Sequence, residues 1–590
     1  MKLQDHYFTL SQKFGTSARV YLAEIAETLQ CTPRHAKTII KQLAEKEWID
    51  WKPAPGRGNA SSIRFRLSEQ ALQESQIKSL LQAGKTAQAL KEMEKTPLEQ
   101  AFLQQLQAQF LWTPEHVNHA KLDVLSYPYY FPVQTFNPHK ALTRHEGHII
   151  SHLFNCLLSY NYENQTFELE LLHRYEKKEN GRVWRFFLRK GVYFHDGTKL
   201  TAETIKDNIE LWKEISLNKW KQSMLAQIET ITLDSSSMLT FRLTKPNHLF
   251  LHLFTDKKSS ILPVSSYRKQ EAEFDRFPIG TGPFKIAEHQ TNYLKLEAFD
   301  RYFGYRPQLD QVELYRLPSG QLPIHNGIHY RVKQADTTET IIHDFPQTDR
   351  GGTYMVVNRQ KPGLHTHQDF PKMLSYALDR QTLFSNHPYY KVWQPDGFFI
   401  RDGTPLRQTY RPDEARKWFK ENGYVGKRFT LTSTCLSHNA HLGYEIGILQ
   451  DALKEFGITL DTEIVDFNEL LKPERMNQSD LIIAGITMAG DILASLVQTL
   501  SGEATFIYNT MPDEARTHTD LLVARTMASV STQEAYTRLR ELESYLLNHY
   551  HVIYLYERLT HVSIEADYRL QGIEVNSLNR LKYDKLWYTT

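Results

Sequence analysis

The first 68 residues differ from the rest of the chain in charge and in the spacing of their apolar residues. They contain 11 Lys and Arg against 6 Asp and Glu, a net charge of +5, whereas the remaining residues carry a net charge of −3. A basic segment attached to a near-neutral body is typical of a nucleic-acid-binding module joined to a second unit. The spacing of the apolar residues restricts the fold of this basic segment further.

Two short amphipathic helices are predicted there. Their apolar residues fall at i, i+3, i+4 and i+7, the spacing of one helix face, and are Leu22, Ile25, Ala26 and Leu29, then Ala36, Ile39, Ile40 and Leu43. Thr32 followed by Pro33 predicts the start of the second helix. Two helices with a tight turn, the second basic on its exposed face, are typical of a helix-turn-helix.

A β-hairpin is predicted directly after the second helix. Residues 48–51 predict a strand, residues 53–59 a turn rich in Pro and Gly, and residues 62–67 an alternating strand. Arg64 and Arg66 share the polar face of that second strand. Helix, helix and hairpin together predict a winged helix-turn-helix domain over residues 1–68.

We expect this domain to bind double-stranded DNA through exposed polar and basic residues. The candidates are Thr32, Arg34, His35, Lys37, Thr38 and Lys41 on the second helix, and Lys52, Arg57, Gly58, Arg64 and Arg66 on the wing. The Gly-Arg-Gly tip allows the backbone to approach a phosphate closely. A helix pair without a DNA-binding role is the alternative, and the basic exposed face and basic wing favour DNA.

The sequence also indicates where the chain resides and which chemistry it lacks. Cys31, Cys156 and Cys435 are scattered, so they predict neither a disulfide framework nor a metal site. Neither a signal peptide nor a run of ~18 apolar residues occurs, so we expect a cytoplasmic protein that is not in a membrane. No nucleophile elbow or phosphate-binding loop is present, so we expect neither an enzyme nor a cofactor.

Three histidines have a spacing that leaves two interpretations open. His145, His148 and His152 fall at i, i+3 and i+7 on a predicted helix. This spacing is compatible with metal binding. A helix flank with solvated histidines explains it as well.

Residues 69–115 are rich in Gln, Leu and Ala and predict a helical connector, and residues 116–590 alternate short strands with helices. Several ordered motifs occur in this α/β body. They are Thr135 to Pro138 with a helix predicted near 149–158, Trp184 to Thr198 continuing through Leu200 to Glu203, Pro278 to Phe284, Met355 to Asn358 with Tyr376 to Arg380, and Pro412 to Arg416 with Gly423 and Tyr424. Together they make roughly residues 120–590 resemble the family 5 extracellular solute-binding proteins, the oligopeptide and dipeptide binders.

This resemblance implies a two-lobed fold of the periplasmic-binding-protein type (type II), with the second lobe inserted at roughly 315–530. We interpret the motifs themselves as scaffold, with Gly191, Gly197, Gly280 and Gly282 at strand-to-loop turns and His195-Asp196 capping a turn rather than catalysing a reaction. In peptide-binding members an aspartate of the second lobe pairs with the peptide α-amine. The matching region here contains Asp491 without the usual aromatic context, which favours a small polar solute over a peptide. We expect the ligand-binding groups to be Tyr129, Tyr130, Arg144, Trp393 and Asp491, with Arg144 pairing with an anion.

A winged helix joined to a family 5 body resembles the SgrR-type transcriptional regulators. The resemblance implies control of sugar-phosphate stress genes in response to a small solute such as a sugar phosphate, with RNA polymerase as a possible further partner. It leaves open whether the protein activates or represses. The alternative is a transport-associated solute-binding protein, which shares the body but needs a secretion signal and has no need of residues 1–68.

Overall fold

The described residues form a small N-terminal domain, two helices that follow it and a large α/β body. The structure, a computed structural model, describes residues 3–54, 59–82, 86–94, 122–128, 133, 135–141, 143–161, 164–216, 219–315, 328–332, 340–348, 350–385, 391–393, 409–435, 442–488, 491–501, 505–576 and 580–589. Arg57 and Gly58 of the wing tip, and Tyr129 and Tyr130 of the body, lie outside the described residues.

The N-terminal domain confirms the predicted winged helix-turn-helix. Its elements are α1 (Leu3–Phe14), β1 (Ser17–Val20), α2 (Leu22–Thr28), α3 (Pro33–Glu45), β2 (Ile49–Lys52) and β3 (Ser61–Phe65). The strands form an antiparallel sheet in the order β1-β3-β2. Helix α1 and strand β1 were not predicted. Helix α1 closes the core with Tyr7 and Leu10, and the Tyr7 hydroxyl donates to the Leu67 carbonyl at 2.7 Å.

Two helices, α4 (Glu69–Gln82) and α5 (Thr86–Glu94), follow the wing and contact each other. Leu72 of α4 is buried in the same core as Tyr7 and Ile63 of the winged helix. The first turn of α4 is therefore packed against the DNA-binding domain. The boundaries of the predicted connector, 69–115, stay a prediction.

The first part of the body contains strands in three sheets. They are β4 (Val124–Pro128), β5 (Leu158–Asn161), β6 (Thr166–Leu169), β7 (Leu172–Lys178), β8 (Val183–Leu188), β9 (Ile228–Ser235), β10 (Met238–Leu243), β11 (Phe284–Gln290), β12 (Tyr293–Ala298) and β13 (Gln311–Tyr315). The sheet orders are β7-β8-β10-β9, β11-β12-β13-β4 and β5-β6, and only β4 and β13 pair in parallel among these strands. The helices between them are Arg144–Leu153, Ala202–Ile215, Lys219–Ala226, Val264–Lys269 and Glu271–Phe274, with 3-10 turns at Glu179–Gly181, Phe250–Phe254 and Lys257–Ser259.

The second part is built on one mixed sheet of eight described strands. They are β14 (Ile328–Val332), β15 (Thr340–Thr348), β16 (Arg350–Val357), β17 (Lys391–Trp393), β18 (Arg428–Cys435), β19 (Thr459–Asp466), β20 (Leu481–Met488) and β21 (Ile553–Asp567). Its main order is β14-β21-β16-β20-β18-β19, and β15 and β17 also pair with β21. Its helices are Phe370–Ala377, Arg380–Ser385, Pro412–Glu421, Leu442–Lys454, Phe467–Leu470, Pro473–Met476, Ile492–Ser501, Phe506–Thr510, Asp513–Met527 and Thr532–Asn548, with a 3-10 turn at Leu364–Thr366.

Strand β21 joins the two parts of the body. Its first residue, Ile553, lies in a core on one face of β16 and β20, whereas Val562 and Ile564 lie in the core of the sheet that contains β4. The chain ends in that latter core through β22 (Leu570–Gln571), the 3-10 turn Tyr583–Lys585 and β23 (Trp587–Tyr588). This α/β architecture confirms the predicted fold class. The boundaries of the inserted lobe, near 315 and 530, stay a prediction.

The motif glycines pack against the end of a helix. The helix predicted near 149–158 occupies Arg144–Leu153 instead, so the predicted bounds were wrong. The Gly282 N–H donates to the Leu153 carbonyl at 2.9 Å, and a Cβ on Gly280 would lie 2.0 Å from that oxygen. Phe154 then adopts an extended backbone, because this loop takes the place of a further helical turn. His195 joins the same loop by accepting the Gly280 N–H at 3.2 Å.

Candidate DNA-binding surface and solute site

Helix α3 presents a polar face to solvent because its apolar residues are buried in the core of the winged helix. The Thr32 hydroxyl accepts the His35 N–H at 3.3 Å, and Pro33 occupies the first helical position, which confirms the predicted start. Ala36, Ile39, Ile40 and Leu43 are buried. The candidate DNA contacts of this helix are all exposed, namely Thr32, Arg34, His35, Lys37, Thr38 and Lys41.

One of these candidates has an acidic neighbour. The Lys41 ammonium lies 3.6 Å from the Glu45 carboxylate, one turn further along α3, and both side chains are well exposed. Exposed pairs of this kind are weak and are screened by salt. Lys41 therefore stays available to a phosphate.

The wing adds further basic side chains on the outer face of its sheet. Lys52, Arg64 and Arg66 are exposed. Arg66 forms an ion pair with Asp50 of β2, whose carboxylate lies 2.7 Å from the guanidinium. This pair holds the pKa of Asp50 below its ordinary value. Of the wing candidates, Arg66 is thus the one whose charge is already balanced within the described part of the wing.

The sheet places a further basic residue, Arg19, beside the wing, and the sequence pattern did not indicate it. Arg19 of β1 is exposed and lies opposite Ser62 of β3, which in turn lies opposite Lys52 of β2. Paired residues point to the same face of a sheet, so Arg19 and Lys52 share the outer face. The alternation of Ser17-Ala18-Arg19-Val20 was the available signal, but a four-residue pattern is too short to predict a strand by itself.

The candidate ligand groups of the body are only partly described. Arg144 is the first residue of a helix that Thr143 caps, and Trp393 ends β17, but their side chains lie outside the described part of the structure. Tyr129 and Tyr130 lie outside it entirely. The four residues stay predictions as ligand groups. Asp491 is described in full.

Asp491 is buried and already hydrogen-bonded to the protein. Its side chain is 3% exposed, and one carboxylate oxygen lies 2.5 Å from Nδ1 of His252. The Thr255 hydroxyl donates to the same oxygen at 2.7 Å, and the Ala494 N–H donates to the other oxygen at 3.2 Å. A role for Asp491 as a ligand group stays a prediction, and it requires these bonds to be exchanged for bonds to the solute.

A second bond joins the same two segments. The Gln498 side-chain amide, two helical turns beyond Asp491, donates to the Asp256 carboxylate at 2.6 Å. Asp256 also accepts the Lys258 N–H and so caps the short turn Lys257–Ser259. Residues 252–256 and the helix Ile492–Ser501 are therefore held together by polar side chains at both ends of their contact.

The three histidines with metal-like spacing are structural, and the interpretation as a solvated flank was wrong. His145, His148 and His152 are 5%, 0% and 3% exposed, because the C-terminal segment covers them. His148 Nε2 lies 3.0 Å from the Tyr583 hydroxyl, the His152 ring stacks on the Tyr583 ring at 4.2 Å, and Arg580 contacts His145. Burial lowers the pKa of His148 well below its ordinary value and that of His152 to about 4.

The described residues contain neither a metal-binding cluster nor a helix suited to a membrane. Within the ranges given above, no cluster of three or more His, Cys, Asp or Glu side chains is arranged to hold a metal ion. In the same ranges, no helix combines the length and the apolar character needed to cross a membrane.

Two protein-family models match the chain. The model of bacterial extracellular solute-binding proteins, family 5 Middle, matches residues 166–504. The model of the sugar transport-related sRNA regulator N-term matches residues 2–113. The two matches fall on the body and on the winged helix with its following helices.

Two similar proteins extend over almost the whole chain. The HTH-type transcriptional regulator SgrR of Yersinia enterocolitica is 24% identical, with 100% of this chain and 99% of that protein covered. The uncharacterized protein YhjP of Bacillus subtilis is 26% identical, with 95% of this chain and 96% of that protein covered.

Solved structures that resemble the body are binding proteins. The dipeptide binding protein of Pseudoalteromonas sp. SM9913 in complex with Met-Leu has a TM-score of 0.65 at 17% identity, covering 79% of this chain and 100% of that chain. The binding protein MoaA of A. tumefaciens R10 in complex with mannopinic acid has a TM-score of 0.65 at 17% identity, covering 80% of this chain and 100% of that chain. At this identity the likeness concerns the fold.

Proposed function

Since this chain belongs to the bacterial extracellular solute-binding proteins of family 5 and begins with the N-terminal domain of the SgrR-type regulators, we propose that it regulates transcription by binding DNA through the winged helix and a small solute through the body. The protein acts in the cytoplasm, where its DNA is found. It changes the expression of sugar-related genes without catalysing a reaction.

The observation that carries this proposal is the exposed basic face of α3. Arg34, Lys37 and Lys41 project from a helix whose other face is buried, and the helix is capped at its N-terminus by Thr32. A helix of this kind enters the major groove with its N-terminal residues toward the base edges. In this arrangement Arg34 and His35 read bases, and Lys37 and Lys41 contact phosphates. Lys52 and Arg64 add phosphate contacts from the wing.

The body senses the solute, and we propose a sugar phosphate. The support comes from the family description of the N-terminal domain, which is sugar transport-related, and from the similar regulators named SgrR. The basic side chain of Arg144 pairs with the phosphate, and the rings of Tyr129, Tyr130 and Trp393 pack against the sugar. A fold that in other proteins holds both a dipeptide and mannopinic acid accommodates such a solute.

Coupling between the two sites requires a change of shape. A solute favours the closed body only through contacts that are better made when the lobes are closed. We infer that closure of the body is transmitted along the chain from β4 to the helices α4 and α5. Because Leu72 of α4 is packed in the winged-helix core, this movement repositions α3 relative to DNA or to RNA polymerase.

A DNA-binding titration of the full chain tests the proposal. The probe is the DNA upstream of the protein's own gene, with random DNA of equal length as reference, each with and without glucose 6-phosphate. We expect tighter binding to the upstream DNA and a change of affinity when the sugar phosphate is added.

Two variants assign the binding to α3. Arg34→Ala should weaken specific binding by about 1–3 kcal/mol if Arg34 reads a base, whereas Lys13→Ala, the same charge change at the exposed end of α1, serves as the matched control. Equal affinity of the full chain for both DNAs, or equal effects of the two variants, would contradict the assignment.

A transport-associated binding protein is the second candidate, because the body has the fold of solved binding proteins over 98–100% of their length, among them the ABC transporter-associated binding protein DppA of Helicobacter pylori. Such a protein would bind a solute and would have no affinity for DNA. The same titration separates the two, since solute binding without any salt-sensitive DNA binding would favour the transport role.

A further inference from the structure

His252 lies where three separate segments of the body meet. It belongs to the 3-10 turn Phe250–Phe254, which contacts both β5 and the start of the helix Ile492–Ser501. Its side chain is 0% exposed. The residue therefore occupies the interior of a contact between parts that are distant along the chain.

Among the described residues, the carboxylate of Asp491 has three donors, and one of them, the His252 ring, can carry a positive charge. Thr255 and the Ala494 N–H are neutral donors, and the third is the His252 ring at 2.5 Å. Among the described residues, no Lys or Arg forms an ion pair with Asp491. A buried carboxylate is unfavourable unless it is paired and hydrogen-bonded. Of the three donors, His252 is therefore the one that can balance this charge when its ring is protonated.

Two aromatic rings complete the surroundings of His252. The Tyr160 ring lies 5.0 Å and the Phe167 ring 4.9 Å from the imidazole, centre to centre. Tyr160 and Phe167 face each other across the β5–β6 pair. A carboxylate combined with aromatic rings is the combination of groups that proteins use to hold organic cations.

The second ring nitrogen of His252, Nε2, is buried and lacks a hydrogen bond to the described residues. A buried polar atom without a partner lowers stability. Among the described contacts of the imidazole, the hydrogen bond to Asp491 is the one that offsets this loss.

We propose that Asp491, Thr255 and the rings of Tyr160 and Phe167 form a cation site whose occupant is the side chain of His252, and that this internal occupant excludes solutes with a primary ammonium group. The first half rests on this geometry and takes the His252 ring as protonated. The second half rests on the proposed function of the body as a solute sensor. It explains how a body with the fold of peptide binders responds to a solute that is not a peptide.

Removal of the imidazole tests the cation site. In the full chain, His252→Ala creates a cavity of imidazole size beside Asp491. Millimolar imidazole should raise the unfolding temperature of this variant and leave that of the wild-type chain unchanged. Pyrazole, which has the same shape but stays neutral, should have a much smaller effect, and His252→Ala/Asp491→Asn should lose the response to imidazole.

Three results would overturn the cation site. They are no response of the folded His252→Ala variant, an equal response to imidazole and pyrazole, and an equal response in the double variant. None of these measurements involves DNA or a sugar phosphate, so their outcome is independent of the proposed function.

A second set of variants covers the case in which His252→Ala does not fold. Asn places an amide donor near the position of Nδ1, so His252→Asn keeps the bond and removes the charge. We expect His252→Asn and Asp491→Asn each to lower the unfolding temperature, and the double variant to be more stable than the sum of the two losses predicts. Additive losses would show that no charge pair exists.

The solute class is tested with a dipeptide and with a small ammonium ion. Ala-Ala should not stabilise the wild-type chain. Methylammonium, which is small enough for a cavity of imidazole size, should stabilise His252→Ala and leave the wild-type chain unchanged. Stabilisation of the wild-type chain by Ala-Ala, lost in Asp491→Asn, would show that Asp491 is open to ammonium groups and would overturn the exclusion.

Discussion

Neutralising Asp50 should strengthen DNA binding, although it removes an ion pair from the wing. The Arg66 guanidinium donates to Asp50 through both Nη2, at 2.7 Å, and Nε, at 2.9 Å. Because this pair lowers the pKa of Asp50, the carboxylate is ionised at neutral pH and balances the charge of Arg66. Asp50→Asn keeps the shape of the side chain and releases Arg66 for a phosphate.

The size of the effect follows from the number of phosphates contacted. Each additional contact steepens the slope of log K against log salt by about 0.9. We take the affinities of the variant and the wild-type chain as equal near ~1 M salt. One new contact by Arg66 then raises the affinity of the variant about eightfold at ~0.1 M salt. The pair is exposed, with 48% and 36% of the two side chains accessible, and exposed pairs contribute little to stability. The fold should persist.

Fluorescence anisotropy measures both the affinity and the slope of log K against log salt, with labelled random DNA titrated with the full chain over a range of salt concentrations. Glu203→Gln, the same charge change at an exposed position of the body, is the matched control. Unchanged affinity and slope for Asp50→Asn, or an equal gain in the control, would refute the assignment of this face of the wing to DNA.

Three further predictions concern the helix cap, the motif glycines and the solute site. Thr32→Ala removes the bond to the His35 N–H and should lower the stability of the winged helix by about 1 kcal/mol, measured by circular dichroism on heating. Gly280→Ala places a Cβ 2.0 Å from the Leu153 carbonyl oxygen and should destabilise the body by about 1–3 kcal/mol or more. A Cβ on Gly447 meets no atom within 4 Å, so Gly447→Ala is the control and should not lower stability. A sugar phosphate at about 100 times its dissociation constant should stabilise the body by roughly 2.7 kcal/mol, and Arg144→Ala should abolish this shift without affecting DNA binding. Loss of both activities would indicate misfolding and remove Arg144 from the site.

Local patterns predicted the helix-turn-helix but missed the elements that complete the domain. The start of α3 depends on Thr32 and Pro33, which act on N–H groups within the next turn, so neighbours in sequence were sufficient. Strand β1 exists because it pairs with β3, and α1 is held by the bond from Tyr7 to Leu67. Neither partner is near in sequence, so no local pattern indicated them.

The histidines of the helix Arg144–Leu153 show the same limit for burial. Their spacing correctly placed them on one side of a helix, since helical geometry depends only on position along the chain. Whether that side faces solvent is decided by Tyr583 and Arg580, which return from the C-terminus to cover it. Periodicity indicates which residues share a face, but it does not indicate what packs on that face.

The sequence by itself determined the winged helix, the α/β body and its family motifs, because these depend on capping, on side-chain periodicity and on residues required at particular turns. Only the tertiary structure decided the environment of each charged group. The sequence suggested Asp491 as a ligand group, and the structure pairs it with His252; it suggested Arg66 as a DNA contact, and the structure pairs it with Asp50. The physical reason is that the free energy of a charge depends on its burial and on its nearest counter-charge, and both are set by segments that folding brings together from distant parts of the chain.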